Sequence, residues 1–301
     1  MDSAQIVGEV QKHYTTFAKS HNVKYSESVA KSFGYSEEAL AAVSQDANLG
    51  LSCGNPLAVA SVREGETVID LGSGAGFDVF QAAPKVGPTG KVIGVDMNQV
   101  RDARGSIPTG TMLTREDMLA RANKIKSSIN AANVSFIESA ITAIDVQSGI
   151  ADCIISNCVI NLVPEADKHL AFKEMFRLLR PGGRVAISDI LAKKPLPEKL
   201  RSDISMYVGC IAGASLAVDY ERWLEHAGFT GILIADSQAD LNVYLHTDGE
   251  GKRSTGCCAG GVSQSGDKTS DLGYQGDLNE WAGSYKIYAV KGSDTDAHSL
   301  S

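Results

Sequence analysis

The chain has 301 residues, 43% of them hydrophobic, and a net charge of −8, which is enough apolar material to bury one α/β domain with additions. Lys and Arg do not cluster beyond Lys193 and Lys194, so the acidic balance excludes a general nucleic-acid surface and favours a small-molecule substrate. The opening MDSAQIVGEVQKHY has neither a basic nor an apolar region, and no apolar run approaches membrane-spanning length, so a cytoplasmic protein with no membrane partner is expected.

Residues 1–66 read as helical. Ile6, Val10 and Tyr14 recur on one face of a first helix. Ser36 can cap a second short helix, Glu37 and Glu38 suit its positive end, and Leu40 and Val43 supply its buried side. In GLSCGNPLAVASV, Asn55 and Pro56 mark another helix start, with Cys53 in the loop before it. The region reads as a lid and not as a separate domain.

The stretch VIDLGSGAGFDVF then joins a buried strand, a glycine turn and a helix start. Thr67 to Leu71 is a β-branched apolar run carrying Asp70, suited to a parallel strand. Gly72, Gly74 and Gly76 leave the turn without β-carbons on alternate residues, so a nucleotide or nucleoside can lie against the backbone and the opening amides of the next helix. Further signals alternate: helix near 77–86, strand 91–96, helix near 116–131, strands 134–138 and 152–156, helix near 165–179 and strand 184–190. Such alternation means crossover units and a parallel sheet. Asp96 ends KVIGVD at the carboxyl edge, where an acid commonly holds ribose hydroxyls.

Residues 99–115 interrupt the pattern with turn and charged residues, and a disordered insertion is expected there. After Asp189, Pro195 and Pro197 break the chain, and a helix with Leu200, Ile204 and Tyr207 leads to Cys210. Asp219 is expected to cap the helix DYERWLEHAGF, which ends at Gly228. The strand-like ILIADS and YKIYAVK follow, separated by a Gly-, Ser- and Thr-rich stretch over 246–276 that reads as flexible. The expected organisation is a helical lid (1–66), a cofactor-binding core (67–192), a C-terminal region completing the sheet on the substrate side (193–291) and a disordered tail (292–301).

Six cysteines in so large a chain read as free thiols, since disulfide frameworks belong to small secreted domains. Cys53 lies in a glycine-flanked loop before a helix whose dipole would lower a thiol pKa. Cys158 follows the fourth strand, at the sheet edge where open α/β sheets bind ligands. Cys210 is glycine-flanked, past the last crossover unit. Cys153 lies inside a strand, where packing is its role. The vicinal Cys257 and Cys258 are further candidates for a thiophilic ion or a redox partner. His169 and His226 sit on helix patterns without metal-ligand spacing.

VIDLGSGAGFD, VIGVD, SNCVINL and RPGGRVAISDI resemble successive motifs of class I S-adenosylmethionine-dependent methyltransferases. Within that superfamily NLGLSCGNP, SNCVINL and the Cys210 segment look like the arsenite methyltransferases, over roughly residues 1–245. The resemblance implies a Rossmann-like, doubly wound, mostly parallel sheet with a helical lid and a smaller α+β C-terminal region. It implies arsenic(III) held by thiolates at Cys53, Cys158 and Cys210, and S-adenosylmethionine surrounded by Asp70, Gly72, Ser73, Gly74, Gly76, Asp96, Met97 and Ile141. Members of the family often carry one more cysteine in the N-terminal helices, and this chain has none before Cys53. A turnover disulfide would then join Cys53 to Cys158 or to Cys210, reduced by glutathione or thioredoxin. The expected partners are arsenite or its thiol conjugates and that reductant, with the chain a monomer. Two other readings stand beside this one: a methyltransferase for an organic acceptor, which needs a base not found here, and a non-catalytic binder using Cys210, Cys257 and Cys258.

Overall fold

The run TVIDL forms strand β1 (Thr67–Leu71), whose last four residues are buried, as a parallel strand covered on both faces requires. The structure, a computed structural model, describes residues 23–97, 118–201, 210–245 and 276–293. The other strands are β2 (Lys91–Asp96), β3 (Val134–Glu138), β4 (Ala151–Asn157), β5 (Leu179–Ala192), β6 (Phe229–Asp236) and β7 (Ala282–Lys291). They form one sheet in the order β3-β2-β1-β4-β5-β7-β6. The pairs from β3 to β5 are parallel, whereas β7 runs antiparallel to both β5 and β6. The order reverses at β1, so the carboxyl ends of β1, β2 and β4 open onto one crevice.

The helices are α1 (Val23–Ser32), α2 (Glu37–Ala41), α3 (Leu57–Ala60), α4 (Phe77–Val86), α5 (Met118–Ser128), α6 (Lys168–Leu178), α7 (Glu198–Arg201) and α8 (Ala217–Ala227). Ser36 caps α2 as expected, its Oγ accepting from the Ala39 amide at 3.2 Å. Asp219 does not cap α8. The cap is Leu216, because Leu216 is held extended by a bridge to Ala192 and the helix starts directly after it. Asp219 lies in the first turn, where its charge suits the positive helix end, and pairs with Arg222. Gly228, left-handed at φ 101°, ends the helix. Helix α6 begins later than expected because the Asp167 amide closes a turn on Pro164 O at 2.8 Å. The expected helix around Ile6, Val10 and Tyr14, the 99–115 stretch, Ile204 and Tyr207, the 246–275 stretch with Cys257 and Cys258, and residues 294–301 lie outside the described residues.

Alternation along β1 sends Ile69 and Leu71 to one face and Val68 to the other. The first face packs on α6 and α8 through Phe172, Met175, Tyr220 and Leu224. Phe172 lies 5.4 Å from the Tyr220 ring and 5.7 Å from Trp223. Burying an aromatic side chain this fully stabilises by about 3–5 kcal/mol relative to Ala. The second face holds Val79, Phe80 and Ala82 of α4 with Cys153, whose thiol burial pushes up to about 12. Cys153 is a core residue, as its strand position suggests. Arg184 of β5 reaches across this face to Glu66 at 2.8 Å and to the carbonyls of Ala60 and Ser61 at 2.5 and 2.8 Å. That ties the end of α3, and so the Cys53 loop, to the sheet.

Candidate active site

The glycine turn after β1 is set by β2. The amides of Gly72 and Ser73 donate to Val95 O at 2.7 and 3.0 Å, and the Gly74 amide donates to Asp96 Oδ2 at 2.7 Å. Gly72, Gly74 and Gly76 have φ of 71°, 52° and 89°, a region that costs other residues strain. A Cβ on Gly72 would collide with Val159, while one on Gly74 would meet none of the described residues within 4 Å. The turn therefore abuts the segment after β4 on one side and leaves open space on the other. Met97 packs partly buried beside the cysteine cluster, and Ile141 joins the core with Leu71 and Val95.

Carboxyl groups are concentrated here. Asp70 is 2% exposed; burial first, then the Asp78 and Asp96 charges, hold its pKa well above the ordinary carboxylate range. Burial likewise raises Asp78 to about 6, against the hydrogen bonds from Tyr35 and Asn157. Three carboxylates around a glycine turn suit a ligand with positive charge. Ser73 Oγ is buried without a hydrogen-bond partner, a polar atom that a bound ligand would satisfy. These features fit S-adenosylmethionine, which carries a sulfonium and an ammonium group.

Beside the turn the structure brings together Cys53, Cys158 and Cys210, all buried, with their sulfurs within 4.8 Å of one another. Each arrives by a different route. Cys53 lies in the loop before α3, its amide donating to Asn157 Oδ1 at 3.1 Å and its carbonyl accepting from Ser284 Oγ at 2.6 Å. Gly54 lets this loop approach β5, since a Cβ there would lie 2.6 Å from that of Ser188. Cys158 directly follows β4 and donates its amide to Ser188 O at 2.9 Å. Cys210 lies where the chain returns before α8, its Sγ donating to Cys158 O at 3.0 Å. Cys53 and Cys158 are joined as a disulfide with Cα atoms 5.3 Å apart, one of the two pairings left open above. Helix α3 spans four residues, a single turn, so the expected dipole effect on Cys53 is small. Cys158 and Cys210 are left-handed, at φ 60° and 65°, strain of a kind that persists where surrounding contacts enforce it.

Asn157 joins the two halves of the site. Its Nδ2 faces Gly54 O at 2.9 Å, Tyr35 Oη at 2.9 Å and Asp78 Oδ2 at 3.1 Å, while Tyr35 donates to Asp78 Oδ1 at 2.7 Å. Sequence reasoning missed Asn157, Tyr35, Asp78 and Ser284. The first and third had a signal: Asn157 precedes Cys158 and Asp78 opens the helix after the glycine turn. His169 and His226 lie away from the cysteines, near Trp223 between α6 and α8.

A doubly wound sheet whose carboxyl edge carries a glycine turn, an acid-ended second strand and adjacent thiols defines a Rossmann-like protein of the class I methyltransferase fold. Residues 63–105 and 114–228 match the methyltransferase domain family, and the chain belongs to that family. It is 41% identical to an arsenite methyltransferase of Halobacterium salinarum over 70% of this chain and 52% of that protein. It is 35% identical to an arsenite methyltransferase of Aquipseudomonas alcaligenes over 62% of this chain and 50% of that protein. The chain thus spans about half the length of these relatives. Among solved structures, the arsenic(III) S-adenosylmethionine methyltransferase of Chlamydomonas reinhardtii aligns with a TM-score of 0.54 and 25% identity, covering 88% of this chain and 73% of that one. No helix among the described residues is long and apolar enough to cross a membrane.

Proposed function

We propose that the protein transfers a methyl group from S-adenosylmethionine to trivalent arsenic held by Cys53, Cys158 and Cys210. The observation that carries this is the convergence of three buried sulfurs within 4.8 Å, next to a glycine turn that fits the cofactor. Arsenic(III) is soft and prefers thiolate ligands, and its arsenite-methylating relatives agree in chemistry.

Gly72, Ser73 and Gly74 would hold the cofactor against the turn, Asp96 and Met97 its nucleoside end, and Asp70 and Asp78 its positive charge. S-adenosylmethionine supplies, when bound, an electrophilic methyl group on a sulfonium. The disulfide must first be opened: two equivalents of a thiol such as glutathione, or one dithiol such as thioredoxin, convert Cys53–Cys158 to two thiols and leave as disulfide. Arsenite then loses three hydroxyls as water as three thiols become its sulfur ligands. The arsenic keeps a lone pair, which would take the methyl group as the sulfonium S–CH3 bond breaks and a neutral thioether is left, so no general base is required. Arsenic rises from the +3 to the +5 level, and two of its thiolates leaving as a disulfide would return the two electrons. The protein's contribution is orientation, since Asn157 fixes the Cys53 loop and the cofactor helix to one point, and burial of all three cysteines excludes water.

The test is speciation of arsenic after incubating the purified protein with arsenite, S-adenosylmethionine and a thiol. Methylated arsenicals are expected. Binding of arsenite without methylated product would overturn the proposal in favour of a thiophilic-ion binder.

A further inference from the structure

Beneath Cys210 lies a buried polar network that the mechanism above does not use. Asn161, in the turn Ile160–Leu162, is fully buried. Its Nδ2 has two protons and faces three acceptors, Cys210 O at 3.1 Å, Asp189 Oδ1 at 2.9 Å and Ile190 O at 2.6 Å. Tyr220 donates its one proton to Asp189 Oδ2 at 2.9 Å, and its Oη lies 3.2 Å from Asn161 Oδ1. Lys168, 1% exposed, holds the other end of the same loop. Its Nζ donates to Gly213 O at 2.5 Å and Ser215 Oγ at 2.7 Å, and pairs with Glu165 at 3.0 Å. An ammonium group has three protons, and here each has an acceptor.

The purpose of so much buried polarity needs explaining, because buried charge is costly and an apolar core would serve stability as well or better. The network ties the loop that carries Cys210 to β5 and α8: one amide faces the carbonyl of Cys210 itself, and one ammonium holds Gly213 and Ser215. Cys210 is left-handed, at φ 65°, a conformation a cysteine does not keep without outside contacts.

We propose that Asn161 and Lys168 are positioning residues for the third thiolate, clamping the Cys210–Ser215 loop from below so that Cys210 Sγ faces Cys158 and Cys53. This rests on the thiolate reading above. The clamp decides whether arsenic receives three sulfurs or two, and so whether inorganic arsenite is held as firmly as an arsenical that needs only a pair of thiols.

The experiment uses the reduced full chain and its variants Asn161→Leu, Lys168→Met and Tyr220→Phe. Arsenite binding is measured by titration and the number of sulfurs around arsenic by X-ray absorption, with phenylarsine oxide as a probe having two exchangeable positions. In Asn161→Leu and Lys168→Met, arsenite affinity is expected to fall by about tenfold or more and the sulfur count from three to two. Affinities for phenylarsine oxide and S-adenosylmethionine should stay within about twofold. Tyr220→Phe removes a hydroxyl from the same network without touching the Cys210 loop, and should keep three sulfurs while melting lower. If Asn161→Leu fails to fold, Lys168→Met carries the comparison. Three sulfurs and unchanged arsenite affinity in a folded Lys168→Met protein would overturn the clamp. Fewer than three sulfurs in the unmutated protein would instead overturn the thiolate reading on which it rests.

Discussion

Asn157→Leu tests whether the cysteine site and the cofactor cradle are one mechanical unit. The change keeps side-chain volume but removes an acceptor from Cys53 N at 3.1 Å and a donor from Gly54 O at 2.9 Å, Tyr35 Oη at 2.9 Å and Asp78 Oδ2 at 3.1 Å. A buried backbone group left without its partner costs about 1–3 kcal/mol, and a lost bond to a carboxylate about 1.5–3 kcal/mol. Solvent and rearrangement recover part of this, so a loss of about 3–5 kcal/mol of stability is expected, a large share of the 5–15 kcal/mol typical of a domain. Urea denaturation measures it. Methyl transfer to arsenite, measured under conditions where the variant is folded, should fall by about 100-fold or more, because misplacement of reacting groups by an ångström has that effect. Asn157→Asp is the sharper companion: it keeps the acceptor for Cys53 but sets a second carboxylate against Asp78, and should be no more active. A stability loss below about 1 kcal/mol with a rate within about twofold of the unmutated protein would refute the coupling.

Cys158→Ser should abolish methylation of arsenite while leaving S-adenosylmethionine affinity, read by calorimetry, unchanged; full activity would be incompatible with three sulfur ligands. Asp78, with its pKa raised to about 6, is charged above that pH and neutral below it. Its attraction for a cationic ligand is therefore present at neutral pH and lost as pH falls through 6. Affinity for S-adenosylmethionine should drop between about pH 7.5 and 5.5, affinity for the uncharged-sulfur product should drop less, and Asp78→Asn should flatten the difference. Arg184→Met leaves Glu66 buried without its partner and strips the acceptors at Ala60 and Ser61 of their donor. It should cost about 3–5 kcal/mol in denaturant titration; a cost below about 1 kcal/mol would mean that the pair does not anchor α3.

What was legible in the sequence was what is local. The glycine turn, the strand before it and Asp96 declare themselves within short windows, because the backbone conformation there is required by residues adjacent in the chain. The cysteines were legible as residue types at the carboxyl edge, but their meeting depends on pairings across the whole chain, such as Asn157 opposite Ser188 in the β4–β5 ladder. The neighbours that shape the site were hidden for another reason. Lys168 opens an amphipathic helix and reads as an ordinary solvated charge, yet it is 1% exposed. Ser284 sits in β7 with nothing to mark it, and only the antiparallel pairing of β7 with β5 carries it to Cys53 O. Asp219 misled because an acid before a helix usually caps it; here a bridge from Ala192 to Leu216 starts the helix earlier.

The Cys53–Cys158 bond spans 105 residues of sequence, so it closes a ring containing the glycine turn and β1 through β4. A cross-link over such a length removes denatured-chain entropy equivalent to roughly 4–5 kcal/mol. The sulfurs that close this ring are the ones that would receive arsenic, which sets durability and competence against each other. On the thiolate reading proposed above, the oxidised chain would be the form that persists, and the reduced chain, open for binding, would be the form more readily lost to heat and proteolysis. Occupancy by the substrate would bridge the same two sulfurs through arsenic and restore the ring, so the working protein should be sturdiest when it is either resting or loaded and weakest in the interval between.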